Sequence, residues 1–204
     1  MQYYFLGNTP ALSLLELESV THEPFTPITP SIVAGDSDLA LTQRLGGLRK
    51  VAKMERIGAK KDVLTLLAAT LANVPNKNVA ITDYVNLSLD KSDLYSLKTG
   101  AGRPIRFVSM ETGEHELVML AHQRVAELNL LPDPADAGQV VVAITTWIFD
   151  SKDWIKRDRN KPYRDIKRGM LPPKVARIMA NLALCGQNGK TLYDPFCGTG
   201  TVLA

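Results

Sequence analysis

One stretch near the end of the sequence has the residue types of a ligand-binding turn. Residues 191–193 are β-prone and lead into the carboxylate of Asp194 and then into Gly198 and Gly200. Glycines let the backbone pass close to a ligand, and a carboxylate at the end of a parallel strand can accept a hydrogen bond from a ligand hydroxyl or ammonium group. The pattern is typical of the strand-to-helix turn of a nucleotide-binding α/β unit. The alternative is a tight turn without a ligand; a phosphate-binding P-loop is excluded because Gly-Lys-Ser/Thr is missing.

A basic stripe precedes this turn and indicates a contact with phosphate groups. Between Lys156 and Lys174 there are eight basic and two acidic residues, a local net charge of +6 in a chain whose net charge is +3. A positive segment on a mildly acidic body predicts contact with nucleic acid at one place. The best candidates for RNA contact are Arg159, Lys161 and Lys167. The alternative is a solvated, charged linker.

Both stretches resemble one family of enzymes. Asp-Pro-Phe-Cys-Gly-Thr-Gly-Thr at residues 194–201 resembles the S-adenosylmethionine-binding motif of class I amino-methyltransferases. The segment from Arg157 to Lys174, with Lys-Pro-Tyr-Arg-Asp and Gly-Met-Leu-Pro-Pro-Lys, resembles the THUMP-containing tRNA guanine-N2-methyltransferases and the RNA methylases around them. The resemblance implies the cofactor S-adenosyl-L-methionine, a tRNA partner and methyl transfer to the exocyclic N2 of a guanosine. It assigns cofactor contacts to Asp194, Pro195, Phe196, Cys197, Gly198, Thr199, Gly200 and Thr201.

The sequence departs from this family in one respect. The family's catalytic Asn/Asp-Pro-Pro-aromatic loop is expected beyond Ala204, so we expect no catalytic residue in this sequence and no activity of this chain alone. Pro172 and Pro173 follow Leu171 rather than Asn or Asp, and we interpret them as the start of a helix.

Composition narrows the class of protein. A chain of 204 residues with 45% hydrophobic and 22% charged residues is typical of a soluble protein with two small domains. Its apolar runs are far shorter than a membrane span, and its start lacks the basic residues of a signal peptide, so we expect a cytoplasmic protein that does not contact membranes. Two cysteines and three histidines give no metal-ligand spacing, so we expect no metal site. We also expect no disulfide, because Cys197 lies in the predicted ligand turn and the compartment should be reducing.

Periodicity predicts the elements that position these motifs. Residues 2–6, 31–34 and 48–57 are predicted strands, a helix starts at Pro10, and residues 23–30 are a predicted loop. This α+β pattern suits a ferredoxin-like domain over residues 1–58.

A second pattern follows, with predicted strands at 79–85, 104–109 and 139–149 and predicted helices from Asp62, over 91–98 and over 114–129. Its place before the methylase motifs makes residues 59–149 look like a THUMP domain, the module with which that family binds tRNA. Arg103 and Arg106 are candidates for the contact; the equally good alternative is a pair of surface residues beside a strand.

The expected architecture is therefore an α+β region, ferredoxin-like plus THUMP-like, before an incomplete α/β methyltransferase domain of the class I, Rossmann-like type. Residues 150–168 would be a basic linker, and residues 169–204 would begin the methyltransferase domain with a helix and the strand 191–193. Two alternatives stay open. The same turn occurs in ribosomal-RNA and DNA amino-methyltransferases, although the β-α alternation of residues 60–150 argues against DNA, and the chain alone could be a non-catalytic RNA-binding module.

Overall fold

The computed structural model describes most of the chain. This part comprises residues 1–109, 119–120, 123–150, 152, 154–156, 171–187, 189–195, 197–198, 200 and 202. Its strands are β1 (Gln2–Leu6), β2 (Thr26–Thr29), β3 (Ile32–Gly35), β4 (Leu48–Ala59), β5 (Asn78–Asp83), β6 (Arg106–Phe107), β7 (Val125–Pro132) and β8 (Gln139–Ile148). Its α-helices are α1 (Pro10–Thr21), α2 (Leu39–Thr42), α3 (Val63–Leu71), α4 (Lys91–Gly100) and α5 (Pro173–Leu184).

Local sequence explains where several helices begin and end. Pro10 and Pro173 occupy the first turns of α1 and α5, where a missing N–H leaves no hydrogen bond unmade. At the start of α4, the Asp90 carboxylate accepts a hydrogen bond from the Asp93 N–H at 2.8 Å, and the Asp93 carboxylate accepts one from the Asp90 N–H at 3.0 Å. This reciprocal capping satisfies backbone donors that have no partner inside the helix.

All eight strands belong to one sheet, in the order β2-β3-β1-β4-β8-β7-β5-β6. β5 is parallel to both β6 and β7, and the other neighbouring pairs are antiparallel. The mixed α/β content and the predominantly antiparallel sheet agree with the predicted α+β class. The assignment of ferredoxin-like and THUMP-like parts stays a prediction.

Strand β4 joins the two predicted N-terminal domains. Its first half pairs with β1, and it pairs along most of its length with β8, from Lys50 opposite Ile148 to Ala59 opposite Gln139. The sheet therefore runs without a break across residue 58, where the sequence predicts a domain boundary. The boundaries themselves stay a prediction.

Three helices pack on one face of this sheet. α1 covers the β1–β3–β4 part through Leu17 and Val20, and α3 and α4 cover the β5–β7–β8 part through Leu67, Leu71 and Leu97. Burying these side chains stabilises the fold by about 1.5–3 kcal/mol for each large aliphatic residue. α5 lies against α1 and so extends the layer of helices. The sheet thus carries the helix that leads into the predicted cofactor turn.

Strand β7 corrects the predicted helix over residues 114–129. Residues 125–132 are a strand, and of the remaining predicted helix only residues 119–120, which are helical, and 123–124, which are a turn, are described. β7 lies between β5 and β8 and is buried on both faces, so apolar residues occupy both of its faces. Such a run of apolar residues also fits the spacing of a helix, which explains the wrong prediction. Arg124, with a φ of 50°, ends the preceding turn before the strand begins.

Three smaller predictions are also wrong. The predicted loop at 23–30 contains the edge strand β2, where Pro27 is tolerated because an edge strand has no second neighbour to bond. The predicted strand at 104–109 is shortened to the two residues of β6. Residues 191–193 are not in a strand, since a strand forms only against a neighbour and the described residues offer none there.

Candidate functional site

The predicted cofactor turn has a left-handed backbone at both of its glycines. Gly198 has a φ of 51° and Gly200 a φ of 74°, and the Gly200 N–H donates a hydrogen bond to the Cys197 carbonyl at 2.7 Å. Glycine adopts this conformation without steric cost. A Cβ on Gly200 would meet no atom within 4 Å, so there is open space beside the turn. The backbone here is accessible to a ligand.

The side chains of the turn fit a small ligand with a cationic or hydroxyl group. Asp194 is half-buried, whereas Pro195 and Cys197 are exposed. Phe196, Thr199 and Thr201 lie outside the described residues. A carboxylate beside two left-handed glycines, without a lysine, suits S-adenosylmethionine, which carries a sulfonium and an amine and has no phosphate.

Helix α5 leads towards this turn and is held by a buried carboxylate on α1. Glu16 is fully buried and accepts three hydrogen bonds: from the Gly46 N–H at 3.0 Å, from the Gly47 N–H at 2.8 Å, and from the side-chain amide of Asn181 on α5 at 2.6 Å. The same amide group of Asn181 donates to the Arg44 carbonyl at 3.0 Å. Three segments far apart in sequence, namely α1, residues 44–47 and α5, therefore meet at one carboxylate.

Two glycines allow this close approach. A Cβ on Gly46 would lie 2.5 Å from the Lys174 carbonyl oxygen, and a Cβ on Gly47 would lie 2.8 Å from the Cα of Ser13. Real side chains do not tolerate such distances, so α1, α5 and the Gly46-Gly47 turn can pack together only because these positions are glycine.

The charge of Glu16 is disfavoured by its surroundings. Burial raises the pKa of the Glu16 carboxyl, and the hydrogen bonds from Gly46, Asn181 and Gly47 and the charge of Arg177 offset only part of that increase. Because the pKa is higher in the folded state, Glu16 contributes stability below its ordinary pKa, and this contribution is lost as the pH rises through the folded-state pKa.

A crevice of about 560 Å³ lies beside the place where α1, α5 and the Gly46-Gly47 turn pack together. It lies between the start of α1, the Gly46-Gly47 turn and the start of α5, with Asn8, Thr9, Arg49 and Lys174 among its lining residues. The Lys174 ammonium lies 3.5 Å from the centre of the Phe149 ring, a cation–π contact, so this member of the basic stripe is engaged in the fold.

Only some of the other residues of the basic stripe are described by the structure. Arg159, Lys161 and Lys167 lie outside the described residues, whereas Lys156 is exposed. Trp154 stacks on Phe149, with ring centres 5.6 Å apart and an interplanar angle of 25°.

Arg103 and Arg106, the other predicted RNA contacts, differ in their surroundings. The Arg103 guanidinium donates hydrogen bonds to the Leu71 carbonyl at 3.2 and 3.3 Å and to the Asn76 carbonyl at 2.8 Å. It thereby satisfies carbonyls at and after the end of α3. Arg106 is exposed at the start of β6.

A buried ion pair lies at the centre of the sheet, where the sequence analysis proposed no site. The Lys50 ammonium on β4 donates to the Glu127 carboxylate on β7 at 2.6 Å, and both side chains are nearly inaccessible. Thr82 and Thr145 donate to the same carboxylate at 2.7 and 2.5 Å. Burial opposes the charge of Glu127, but Lys50 and these hydrogen bonds outweigh it and hold the pKa of Glu127 below its ordinary value.

The polar network continues to Asn129. Its side-chain amide donates to the Thr145 hydroxyl at 3.0 Å and to the Ala143 carbonyl at 3.4 Å, while its Oδ1 is buried without a hydrogen-bond partner among the described groups. Both charged side chains of this network, Lys50 and Glu127, have a partner in the sheet. We therefore assign a structural role to the network.

Sequence reasoning missed Glu16 and Asn181. The signal for Glu16 is a charged residue on the apolar side of α1, between Ser13, Leu17 and Val20, which are all buried. A carboxylate at such a position predicts a buried partner, but the sequence does not say which residue supplies it.

Two further kinds of feature are absent from the described residues. None of the helices there is long and apolar enough to cross a membrane. No cluster of three or more histidine, cysteine or acidic side chains within the described ranges could hold a metal ion.

The last part of the chain matches a known protein family. Residues 161–204 match the family UPF0020, described as an RMKL-like methyltransferase domain. The match contains the left-handed turn at Gly198 and Gly200 and all of α5. A search of curated proteins found none that matches the chain. The family match supports a methyltransferase of the RNA methylase kind.

Proposed function

We propose that the chain is the N-terminal part of an S-adenosylmethionine-dependent RNA methyltransferase that modifies the N2 amino group of a guanosine in tRNA. One observation carries the proposal: the left-handed turn at Gly198 and Gly200, next to the carboxylate of Asp194, lies inside the segment that matches a methyltransferase family. S-adenosylmethionine would supply an electrophilic methyl group on its sulfonium.

In this proposal the residues of the turn bind and orient the cofactor. The Asp194 carboxylate accepts a hydrogen bond from a hydroxyl or ammonium group. Gly198 and Gly200 supply the left-handed backbone of the turn, and Gly200 leaves room for the cofactor beside it. Phe196, Cys197, Thr199 and Thr201 complete the turn, and Cys197 acts through its small size rather than as a nucleophile.

The remaining described elements orient the turn relative to RNA. Glu16 holds α5 against α1, and α1 packs on the sheet to which the strands of residues 59–149 also belong. Arg159, Lys161 and Lys167 contact the tRNA backbone in this proposal, because phosphate contacts fix the orientation of a nucleic acid without reading its bases. A guanine must leave its stack before its amino group can reach the cofactor.

The proposal is tested with the protein expressed from the complete reading frame. Asp194→Ala and Gly198→Val should each abolish cofactor binding in calorimetry and methyl transfer to tRNA, and should leave tRNA affinity nearly unchanged. The Asp194 change removes the acceptor, and a β-branched residue at 198 is strained in the left-handed region, so it should distort the turn.

The matched control is Gly189→Val. Gly189 has a φ of 73° and its Cβ would meet no atom within 4 Å, so the control carries a similar backbone strain outside the turn. Cofactor affinity should stay normal in this control. Normal cofactor affinity in Asp194→Ala and in Gly198→Val would remove the turn from the site and contradict the proposal.

A further inference from the structure

A second basic surface lies at the amino-terminal ends of the parallel strands β5, β6 and β7. Lys77 immediately precedes β5, Arg106 begins β6, and Arg124 immediately precedes β7. All three side chains are exposed. Lys77 and Arg124 line a shallow cleft of about 440 Å³ together with Pro75, Asn76, Asn78 and Gln123. We call Lys77, Arg106 and Arg124 the edge cations.

The pairing of the strands brings the edge cations together. Asn78 is the register partner of Val125 on one side and of Arg106 on the other. Lys77 and Arg124 therefore lie side by side, and neighbouring strands are about 4.8 Å apart. The Arg106 N–H donates to the Lys77 carbonyl at 2.9 Å. Three positive charges thus occupy the ends of three adjacent strands.

Two asparagines fix this arrangement. The side-chain amide of Asn76 donates to the Arg124 carbonyl at 2.8 Å, and that of Asn78 donates to the Gln123 carbonyl at 3.3 Å. These bonds tie the segment before β5 to the segment before β7 and hold Arg124 in its left-handed backbone, with a φ of 50°. Like charges on adjacent strands repel each other, and the described lining of the cleft contains no carboxylate to balance them.

We propose that the edge cations, together with the cleft that Lys77 and Arg124 line, bind backbone phosphates of the RNA substrate. Three exposed cations on the ends of adjacent strands form a local basic patch, the type of surface that binds nucleic-acid phosphates. Asn76 and Asn78 line the cleft, and an amide oxygen can accept a hydrogen bond. A ribose 2′-hydroxyl is a donor that RNA has and DNA lacks. The choice of RNA rests on the proposed function, whereas the site itself rests on the charges and the cleft.

The test measures the binding of a labelled, folded tRNA transcript to this 204-residue chain by fluorescence anisotropy at several salt concentrations. The edge variant combines Lys77→Gln, Arg106→Gln and Arg124→Asn. Asparagine is chosen at 124 because it tolerates a positive φ better than most residues do. The matched control combines Lys53→Gln, Lys61→Gln and Lys91→Gln, which remove the same charge from exposed positions away from this edge.

We expect the edge variant to lose most of the salt dependence that three phosphate contacts provide. Each contact contributes about −0.9 to the slope of log affinity against log salt, so the slope should become shallower by about 2–3. Between about 50 and about 200 mM salt, wild-type affinity should therefore fall about 40-fold more than that of the edge variant. The control should keep the wild-type slope, and both variants should keep the wild-type melting temperature.

Three results would overturn the inference. In the first, the edge variant and the control have the same slope. In the second, only a variant of the basic stripe (Arg159→Gln, Lys161→Gln and Lys167→Gln) reduces the slope. In the third, a DNA hairpin with the sequence of an RNA hairpin competes as well as that RNA, which contradicts the choice of RNA. A failure of cofactor binding at Gly198 bears on the proposed function alone and leaves these measurements unchanged.

Discussion

Removing the Glu16 carboxylate should weaken the contact between α1 and α5 and lower the free energy of unfolding. In Glu16→Ala the N–H groups of Gly46 and Gly47 lose the acceptor that Glu16 provides, while the Asn181 amide keeps its bond to the Arg44 carbonyl. Each buried donor without a partner costs about 1–3 kcal/mol. The loss of an unfavourably buried charge offsets part of this cost, so we expect the free energy of unfolding to fall by about 3 kcal/mol.

Thermal and urea unfolding followed by circular dichroism measure this loss. For a chain of this size, about 3 kcal/mol corresponds to a fall in melting temperature of roughly 6–12 °C. Glu18→Ala is the matched control, because Glu18 is on the same helix and is partly exposed; its free energy of unfolding should change by less than about 0.5 kcal/mol. The double variant with Asn181→Ala should lose less than the sum of the two single variants, since both changes remove the same contact.

The pH dependence gives an independent check of the same contact. The pKa of Glu16 is raised above its ordinary value of 4.5, so its contribution to stability is fully present below that value and is lost as the pH rises through the folded-state pKa. The cost of Glu16→Ala should therefore be larger near pH 4.5 than at neutral pH. A variant as stable as the Glu18→Ala control, or a cost that grows as the pH rises, would refute the assignment.

Two further changes test the sheet. Lys50→Met should lower the free energy of unfolding by about 3–5 kcal/mol, because it leaves the buried Glu127 carboxylate without its cation. In the wild type the lowered pKa of Glu127 means that its contribution is present above 4.5 and is lost as the pH falls through the folded-state pKa. In Lys50→Met burial dominates the pKa of Glu127, so stability should instead increase as the pH is lowered from neutral. Adding Glu127→Gln should recover most of the lost stability. If the urea midpoint of Lys50→Met falls with the pH as that of the wild type does, the proposed role of the ion pair is contradicted. Arg103→Ala should cost about 2 kcal/mol through its lost hydrogen bonds to the Leu71 and Asn76 carbonyls, whereas the exposed Arg106→Ala should cost less than about 0.5 kcal/mol in the same melting experiment, and equal costs would contradict the assignment.

Local sequence was sufficient for elements whose boundaries depend on neighbouring residues. Strand β1 and the starts of α1 and α5 follow from prolines and from β-prone runs, and they lie where the sequence predicts them. The nearly continuous run of β-branched and aromatic residues over residues 139–149 likewise predicts β8. The left-handed turn follows from Gly198 and Gly200, because glycine alone adopts that backbone without cost. These predictions needed no knowledge of what packs against each element.

Tertiary structure decided every feature that depends on a partner far away in the chain. Strand β7 has an apolar pattern that fits either a helix or a strand, and only its place between β5 and β8 makes it a strand. Residues 191–193 have strand-forming residues but no neighbouring strand among the described residues. The partners of buried charges are equally non-local: Glu16 meets Asn181 across 165 residues, and Lys50 meets Glu127 across 77. A sequence shows that such a charge needs a partner, because burial without one is costly, but the fold alone brings the two groups within hydrogen-bonding distance.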